Sequence, residues 1–250
     1  HTGERVDQSG VFEWFFYEPL LDEMISPLPF AVAGEESGSL DRLGVAPETL
    51  YPSTNMYQRY TAKGIGSHVF QSATFTPSPY GNIVTNGVTE THPFTDFGTA
   101  LTEIATLANK GDNQMRYIYC YYGDIDKAGH EYGPNSPEFA ATVERFFNQL
   151  ETYLFANLTT TSGNTLIAMT ADHGQTDIDP ATTVYINQII PEMETWVKRN
   201  QHGKAMMPGG SARDLFVYVK EEYVEIAFTT LTEKLSGIAE VYKTETLIKA

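Results

Sequence analysis

The residues Tyr117-Ile118-Tyr119-Cys120-Tyr121 form a short run of β-favouring side chains without helical periodicity, which predicts a buried strand. A helix start follows at Ser136-Pro137. The helix carries one apolar stripe, made of Phe139, Val143, Phe146, Phe147, Leu150, Tyr153 and Leu154. A second buried strand is predicted at Thr165-Leu166-Ile167-Ala168-Met169. Strand, helix and strand in this order predict a βαβ unit with parallel strands and a right-handed crossover.

The same alternation extends to both sides of this unit. Upstream, Asp96 is the expected N-cap of a helix that begins at Phe97 and is stopped by Gly111. The earlier patterns predict a strand or turn at residues 13–17, a helix at 56–62 and a strand at 68–72. Downstream, strand, helix and strand recur at residues 215–219, 223–235 and 238–242. The sequence therefore predicts an α/β fold.

Proline and glycine punctuate residues 179–213, and such breaks in composition often mark the edges of subdomains. We therefore expect an α/β core over residues 1–178 and a smaller α+β subdomain over residues 179–250. The strands at 215–219 and 238–242 are expected in that smaller unit, away from the centre of the main sheet.

Composition excludes several classes of protein. Hydrophobic residues make up 41% of the chain, which rules out a disordered or collagen-like protein. No apolar run reaches the roughly 18 residues that a membrane-spanning helix needs. A net charge of −16 disfavours a general nucleic-acid-binding surface. Cys120 is the only cysteine, so an internal disulfide and a cysteine-rich zinc site are excluded, and a cytoplasmic location is expected.

Aspartate and histidine occur together directly after each of the two best predicted strands. Asp126 and His130 lie in the expected loop at residues 123–134, and Asp172 and His173 follow the second strand. Because ligands bind beyond the carboxyl ends of parallel strands, we expect the four side chains to converge there. Carboxylate and imidazole ligands suit a zinc-like cation, and two such ions ~3.5–4 Å apart can clamp a phosphoryl group in transfer. Taken alone, Asp-x-x-x-His is more often a coincidence or a helix-surface pair than a metal site, and Asp-His-Gly is also compatible with an ordinary turn whose Asp caps a helix.

The two motifs resemble those of the type I phosphodiesterase/nucleotide pyrophosphatase family of the alkaline phosphatase superfamily. The resemblance rests on Asp126-x-x-Gly129-His130-x-Tyr132-Gly133-Pro134 and on Thr170-Ala171-Asp172-His173-Gly174. The opening adds Thr2-Gly3, Ser9-Gly10-Val11, where Ser9 replaces the family's histidine, and then Glu13-Trp14-Phe15 and Pro27-Leu28-Pro29-Phe30. The resemblance implies a three-layer α/β/α sandwich and a metal-dependent hydrolase of phosphodiester or pyrophosphate bonds. It implies two divalent ions, expected to be zinc, and a Thr or Ser phospho-enzyme intermediate.

The family's ligands carry over only in part. Asp126 and His130 match two ligands of one ion, and Asp172 and His173 match two ligands of the other. The resemblance places the nucleophile and an early Asp ahead of His1, so no catalytic residue is assigned within the chain. A further metal-binding histidine has no match, since the surroundings of His202 differ. We therefore expect a central fragment that alone binds metal weakly and is inactive.

Two alternatives stay open beside this hydrolase. Cofactor-independent phosphoglycerate mutases of the same superfamily carry similar motifs, which leaves a phosphomutase as the second hypothesis. A catalytically silent fragment or metal-binding module is the third. The expected partner is a small phosphodiester or nucleotide substrate, and the sequence does not indicate an oligomeric state.

Overall fold

The computed structural model describes residues 1–159 and 164–248. Its α-helices are α1 Val6–Ser9, α2 Ser39–Arg42, α3 Met56–Thr61, α4 Pro79–Val84, α5 Phe97–Ala108, α6 Asp124–Tyr132, α7 Pro137–Gln149, α8 Ile186–Ile189, α9 Met193–Trp196, α10 Val224–Lys234 and α11 Thr244–Ile248. Its strands are β1 Phe16–Glu18, β2 Glu23–Ser26, β3 Ala31–Val32, β4 Gly66–Ser72, β5 Glu90–Phe94, β6 Arg116–Cys120, β7 Gly209–Gly210 and β8 Leu215–Phe216. Short 3-10 turns and one π-helical turn at Leu150–Leu154 complete the described elements.

None of the described helices combines the length and the apolarity needed to cross a membrane.

The chain divides into two compact units. The first joins His1–Ser9 to Tyr51–Asp179, and the second joins Gly10–Leu50 to the chain from Pro180 onward. Residues 10–50 thus belong to the same unit as the region after 179, and a separate folding domain at 179–250 stays a prediction.

A parallel sheet with the strand order β5-β4-β6 forms the centre of the first unit. The middle strand contains Val69 and Phe70, both with no exposed surface. The strands predicted at 68–72 and 117–121 are confirmed, with β4 two residues longer at its start and β6 shifted by one residue. Pro93 lies in β5, an outer strand of this sheet, where its missing N–H is tolerated.

Helices cover both faces of this sheet. On one face, Ala100 and Leu107 of α5 pack with Phe70. On the other face, Tyr57 and Tyr60 of α3 approach the ring of Tyr117, with centroid distances of 6.2 and 5.0 Å. Alternate residues of a strand point to opposite faces, so β6 contributes to both layers. The predicted α/β fold is confirmed in this arrangement of helix, sheet and helix.

The predicted helix starts are confirmed by their capping bonds. The Asp96 carboxylate accepts from the amide of Thr99 at 2.7 Å, and the Ser136 hydroxyl accepts from the amide of Phe139 at 3.1 Å. These bonds satisfy amides that have no partner within the helix. Packing of Phe97 against Phe146, with ring centroids 5.7 Å apart, then joins α5 to α7.

The strand predicted at residues 165–169 does not form. Leu166 is 91% exposed and Met169 is 63% exposed, and the backbone from 165 to 170 is irregular. A β-favouring sequence becomes a strand only when a neighbour accepts its backbone hydrogen bonds. Because β6 pairs with β4 and residues 165–169 do not pair with it, the predicted βαβ unit is wrong in its second strand.

The second unit contains an antiparallel sheet of β1, β2 and β3 and a separate hairpin of β7 and β8. Its main cluster surrounds Ile190, Trp196 and Leu231, where the predicted helix α10 contributes its buried face. The strand predicted at 215–219 is reduced to β8 and an isolated bridge from Val219 to Val197.

The strand predicted at 238–242 is also wrong, and the end of α10 explains why. The amides of Ile238 and Ala239 both donate to the carbonyl of Leu235, at 2.8 and 2.9 Å. Gly237 has φ 77°, the left-handed conformation that favours glycine at such ends. The helix end therefore uses the backbone groups that a strand would need.

Asn55 joins the start of α3 to the end of α4 and provides a test of this packing. It is 1% exposed, caps the amide of Gln58 at 3.0 Å and donates to the carbonyls of Ile83 and Asn86 at 3.2 and 2.8 Å. We expect Asn55→Ala to lower the free energy of unfolding by roughly 2–4 kcal/mol, because a cap and two further hydrogen bonds of a buried side chain are lost. Ser78→Ala, which removes the cap of α4, should cost only about 1 kcal/mol. Equal losses in urea unfolding would contradict this role of Asn55.

Cys120 provides a second test. Burial raises the pKa of its thiol to about 12, so almost no thiolate exists near neutral pH. We expect labelling by a disulfide reagent at a pH of about 8 to be at least about 100-fold slower in the native protein than in urea. Rapid labelling of the native protein would show that the β6 side chains are more accessible than described.

Candidate functional site

Asp126 and His130 lie on α6, the helix that follows β6. The sequence predicted a loop here, and the structure corrects this to a helix over Asp124–Tyr132. Asp124 and Asp126 in its first turn interact favourably with the helix dipole, and Gly133, with φ 87°, ends it. Residues four apart lie on the same face, and His130 Nε2 is 3.4 Å from Asp126 Oδ1. The i, i+4 spacing that suggested shared ligation thus also describes a helix-surface pair.

Asp172 and His173 lie in an irregular segment that approaches the same helix. His173 Nε2 is 3.8 Å from Asp126 Oδ1 and 3.9 Å from Asp172 Oδ2. Burial raises the pKa of Tyr121, and the nearby charges of Asp172 and Asp126 raise it further. The structure therefore brings the four predicted side chains together, with Asp126 between the two imidazoles.

Gln175 holds this segment against α6. Its Nε2 donates to the carbonyl oxygen of Asp126 at 3.1 Å and to Asp126 Oδ1 at 2.8 Å. Two residues further along, the Asp177 carboxylate accepts from the side-chain amide of Asn135, just beyond the helix. These hydrogen bonds, and not a second strand, bring Asp172 and His173 to α6. The sequence motifs gave no indication that Gln175 makes this contact.

The close approach of Gln175 explains the glycine in Asp-x-x-Gly-His. A Cβ placed at Gly129 would lie 1.4 Å from Gln175 Oε1, a distance that forces the glutamine to move. The small residue at this helical position makes room for the segment that carries Asp172 and His173.

The four side chains are open to solvent. Exposed fractions are 40% for Asp126, 72% for His130, 73% for Asp172 and 54% for His173. Carboxylate and imidazole donors suit divalent metal ions, and the observed separations are near the ~3.4 Å edge of a tetrahedral site with bonds of ~2.1 Å. The chemistry of these donors suits divalent ions, and metal binding by these residues stays a prediction.

A tighter cluster lies elsewhere in the first unit. Among the described residues, the His, Cys, Asp and Glu side chains that place three ligand atoms within 4.8 Å of one another are His68, Glu90 and His92. Burial lowers the pKa of His68, and the adjacent His92 lowers it further. Motif spacing does not reveal this cluster, because His68 lies on β4 and meets Glu90 and His92 of β5 only through the register of the two strands.

The chain matches the family model of type I phosphodiesterase / nucleotide pyrophosphatase over residues 36–249 and belongs to that family. The fold is therefore an α/β fold of the alkaline phosphatase-like kind, and the family consists of phosphodiesterase- or pyrophosphatase-type hydrolases. Both Asp-His motifs lie within the matched range, whereas the resemblances noted before residue 36 lie outside it. A comparison with curated protein sequences found no match.

A double-mutant cycle tests the contact between Gly129 and Gln175. In a Gln175→Ala protein, Gly129→Ala should stabilise the fold by about 0.5–1 kcal/mol, because alanine is favoured over glycine inside a helix. In the native background the same change expels Gln175, and the lost hydrogen bonds, worth roughly 0.5–1.5 kcal/mol each, should cancel or reverse that gain. Identical effects of Gly129→Ala in both backgrounds, measured by urea unfolding, would disprove the contact.

Proposed function

We propose that this chain supplies metal ligands to a hydrolase of phosphodiester or pyrophosphate bonds, in which Asp126 and His130 bind one zinc ion and Asp172 and His173 bind a second. The observation that carries the proposal is the convergence of His130 and His173 on one oxygen of Asp126, at 3.4 and 3.8 Å. Membership of the phosphodiesterase family supports the reaction type.

The electrostatics of the site also support bound cations. The protein has a net charge of −16, and Asp126, Asp172 and Asp177 are all carried by α6 or the segment attached to it. A phosphodiester anion would be repelled by these carboxylates unless local positive charge outweighed them. Bound divalent ions would supply that charge and polarise the phosphoryl oxygens.

The chain's own residues would position this chemistry. Gln175 donates to Asp126 Oδ1 and so restricts the rotation of the carboxylate between the two imidazoles. The neutral imidazoles of His130 and His173 would each offer a nitrogen lone pair to an ion. Tyr121 keeps its proton at neutral pH and adds no negative charge beside the aspartates.

The nucleophile is the part of the reaction that these residues do not supply. The family resemblance implies a Thr or Ser ahead of His1, and we assign no catalytic residue to the described chain. Each ion would receive one carboxylate and one imidazole, whereas zinc sites normally use three or four protein ligands. We therefore propose that residues 1–250 alone bind these ions weakly and do not hydrolyse phosphodiesters.

The single cysteine favours a reducing, cytoplasmic compartment, which stays a prediction.

Zinc titration by calorimetry tests the assignment of ligands. Asp126→Asn and Asp172→Asn should each weaken one binding event by at least the roughly 10–100-fold that loss of an outer-shell partner costs. Asp124→Asn is the matched control, since it removes a carboxylate from the first turn of the same helix. Unchanged binding in both variants, or an equal loss in the control, would refute these ligands.

Turnover tests the reaction. We expect bis-para-nitrophenyl phosphate to be hydrolysed by a protein extended ahead of His1 and beyond Ala250, and not by residues 1–250 alone. Hydrolysis by the short chain would show that ligands and a nucleophile are present in it, with His202 the first ligand to examine. Interconversion of phosphoglycerates would instead support the phosphomutase alternative, and inactivity of both proteins would support a silent metal-binding module.

A further inference from the structure

The His68, Glu90 and His92 cluster (the strand-pair cluster) lies between the sheet and α5. His68 pairs with Glu90 across β4 and β5, and His92 lies opposite Phe70, two residues further along each strand. Side chains two residues apart share a face of the sheet, so this register brings all three onto the face covered by α5. Both histidine side chains are 8% exposed, whereas Glu90 is 61% exposed.

The three ligand atoms form a triangle of suitable size for one metal ion. His68 Nδ1 is 3.0 Å from His92 Nε2, and Glu90 Oε2 lies 3.8 Å from the first nitrogen and 3.6 Å from the second. A tetrahedral zinc ion with bonds of ~2.1 Å requires ligand separations of ~3.4 Å. Adjustments of a few tenths of an ångström would therefore bring the three atoms to bonding distance.

The ring of His92 is held in place from two sides. Its Nδ1 lies 2.7 Å from Glu103 Oε1 on α5, and its plane stacks on Phe70 at a centroid distance of 4.2 Å and an angle of 6°. Because a carboxylate accepts a hydrogen bond, Nδ1 carries the proton and Nε2 keeps its lone pair toward His68 and Glu90. A carboxylate behind a histidine is the usual outer-shell arrangement of metal-binding imidazoles.

Charge around the strand-pair cluster also favours a cation. Glu90 and Glu103 carry negative charge at the two imidazoles. The positive charges of Lys110 and Arg116 act on His68, and the Arg116 guanidinium is already paired with Asp112, with one contact at 2.7 Å. The two glutamates are thus opposed by one lysine and by an arginine whose charge is compensated.

We propose that His68, Glu90 and His92 form a binding site for one zinc-class divalent ion, separate from Asp126, His130, Asp172 and His173. The ion would replace the proton between His68 Nδ1 and His92 Nε2 and accept Glu90 as its third protein ligand. Its fourth position would face the solvent beside the exposed Glu90. Such an ion links β5 to β4, and through Glu103 it also fixes α5 on the sheet.

Binding of Co²⁺ and Zn²⁺ to an Asp126→Asn/Asp172→Asn protein tests the site without the other ligand set. We expect one equivalent of Co²⁺ with the visible absorption of tetrahedral coordination, and a rise in thermal unfolding temperature on addition of Zn²⁺. Adding His68→Gln/His92→Gln should abolish both effects. Absence of Co²⁺ binding, or binding that persists without the histidines, would overturn the proposal.

Glu90→Gln keeps the test decisive if the histidine variants do not fold. Glu90 is mostly exposed, so its amide form should leave the fold intact and lower affinity for Zn²⁺ at least about tenfold. Glu151→Gln, an exposed glutamate outside the cluster, is the matched control and should bind as the parent does. Equal affinities in the two glutamine variants would refute Glu90 as a ligand.

Discussion

Val69 and Phe70 have no exposed surface because β4 lies between β5 and β6 and under helices on both faces. Burial of large apolar side chains at this position contributes roughly 1.5–3 kcal/mol each. The same pairing sets the register that brings His92 beside His68 and directs the end of β6 into α6. Both candidate sites in the first unit therefore depend on the two parallel ladders of one strand.

The Asp126 site depends in addition on a contact between side chains. Gln175 lies over Gly129 and donates to Asp126, and these bonds hold a segment that has no regular secondary structure. Such a site has fewer backbone constraints than one built on two strands. The strand-pair cluster differs because its two imidazoles are buried and are positioned by ladder hydrogen bonds.

Local patterns in the sequence were sufficient to predict α5, α7, β4 and β6, because capping residues and apolar periodicity act within a few residues. They wrongly predicted strands at residues 165–169 and 238–242. Residues 165–169 have no neighbouring strand to pair with, and the turn at Gly237 that ends α10 uses the amides of Ile238 and Ala239. The four motif residues were predicted as candidate ligands from their positions after strands, yet the contact that brings them together was Gln175. His68 and His92 were invisible to motif analysis because strand register cannot be read from either segment alone.

The two outer strands of the parallel sheet differ in a way that bears on self-association. Pro93 in β5 has no N–H to offer to an incoming chain, and proline is a common protection of sheet edges. In β6 the residues Arg116–Cys120 contain no proline, and the exposed Leu166, Ile167 and Met169 belong to a β-favouring run. At high concentration, intermolecular pairing should therefore begin at β6 or at residues 165–169 before it begins at β5, and a charged residue placed at Leu166 would oppose it.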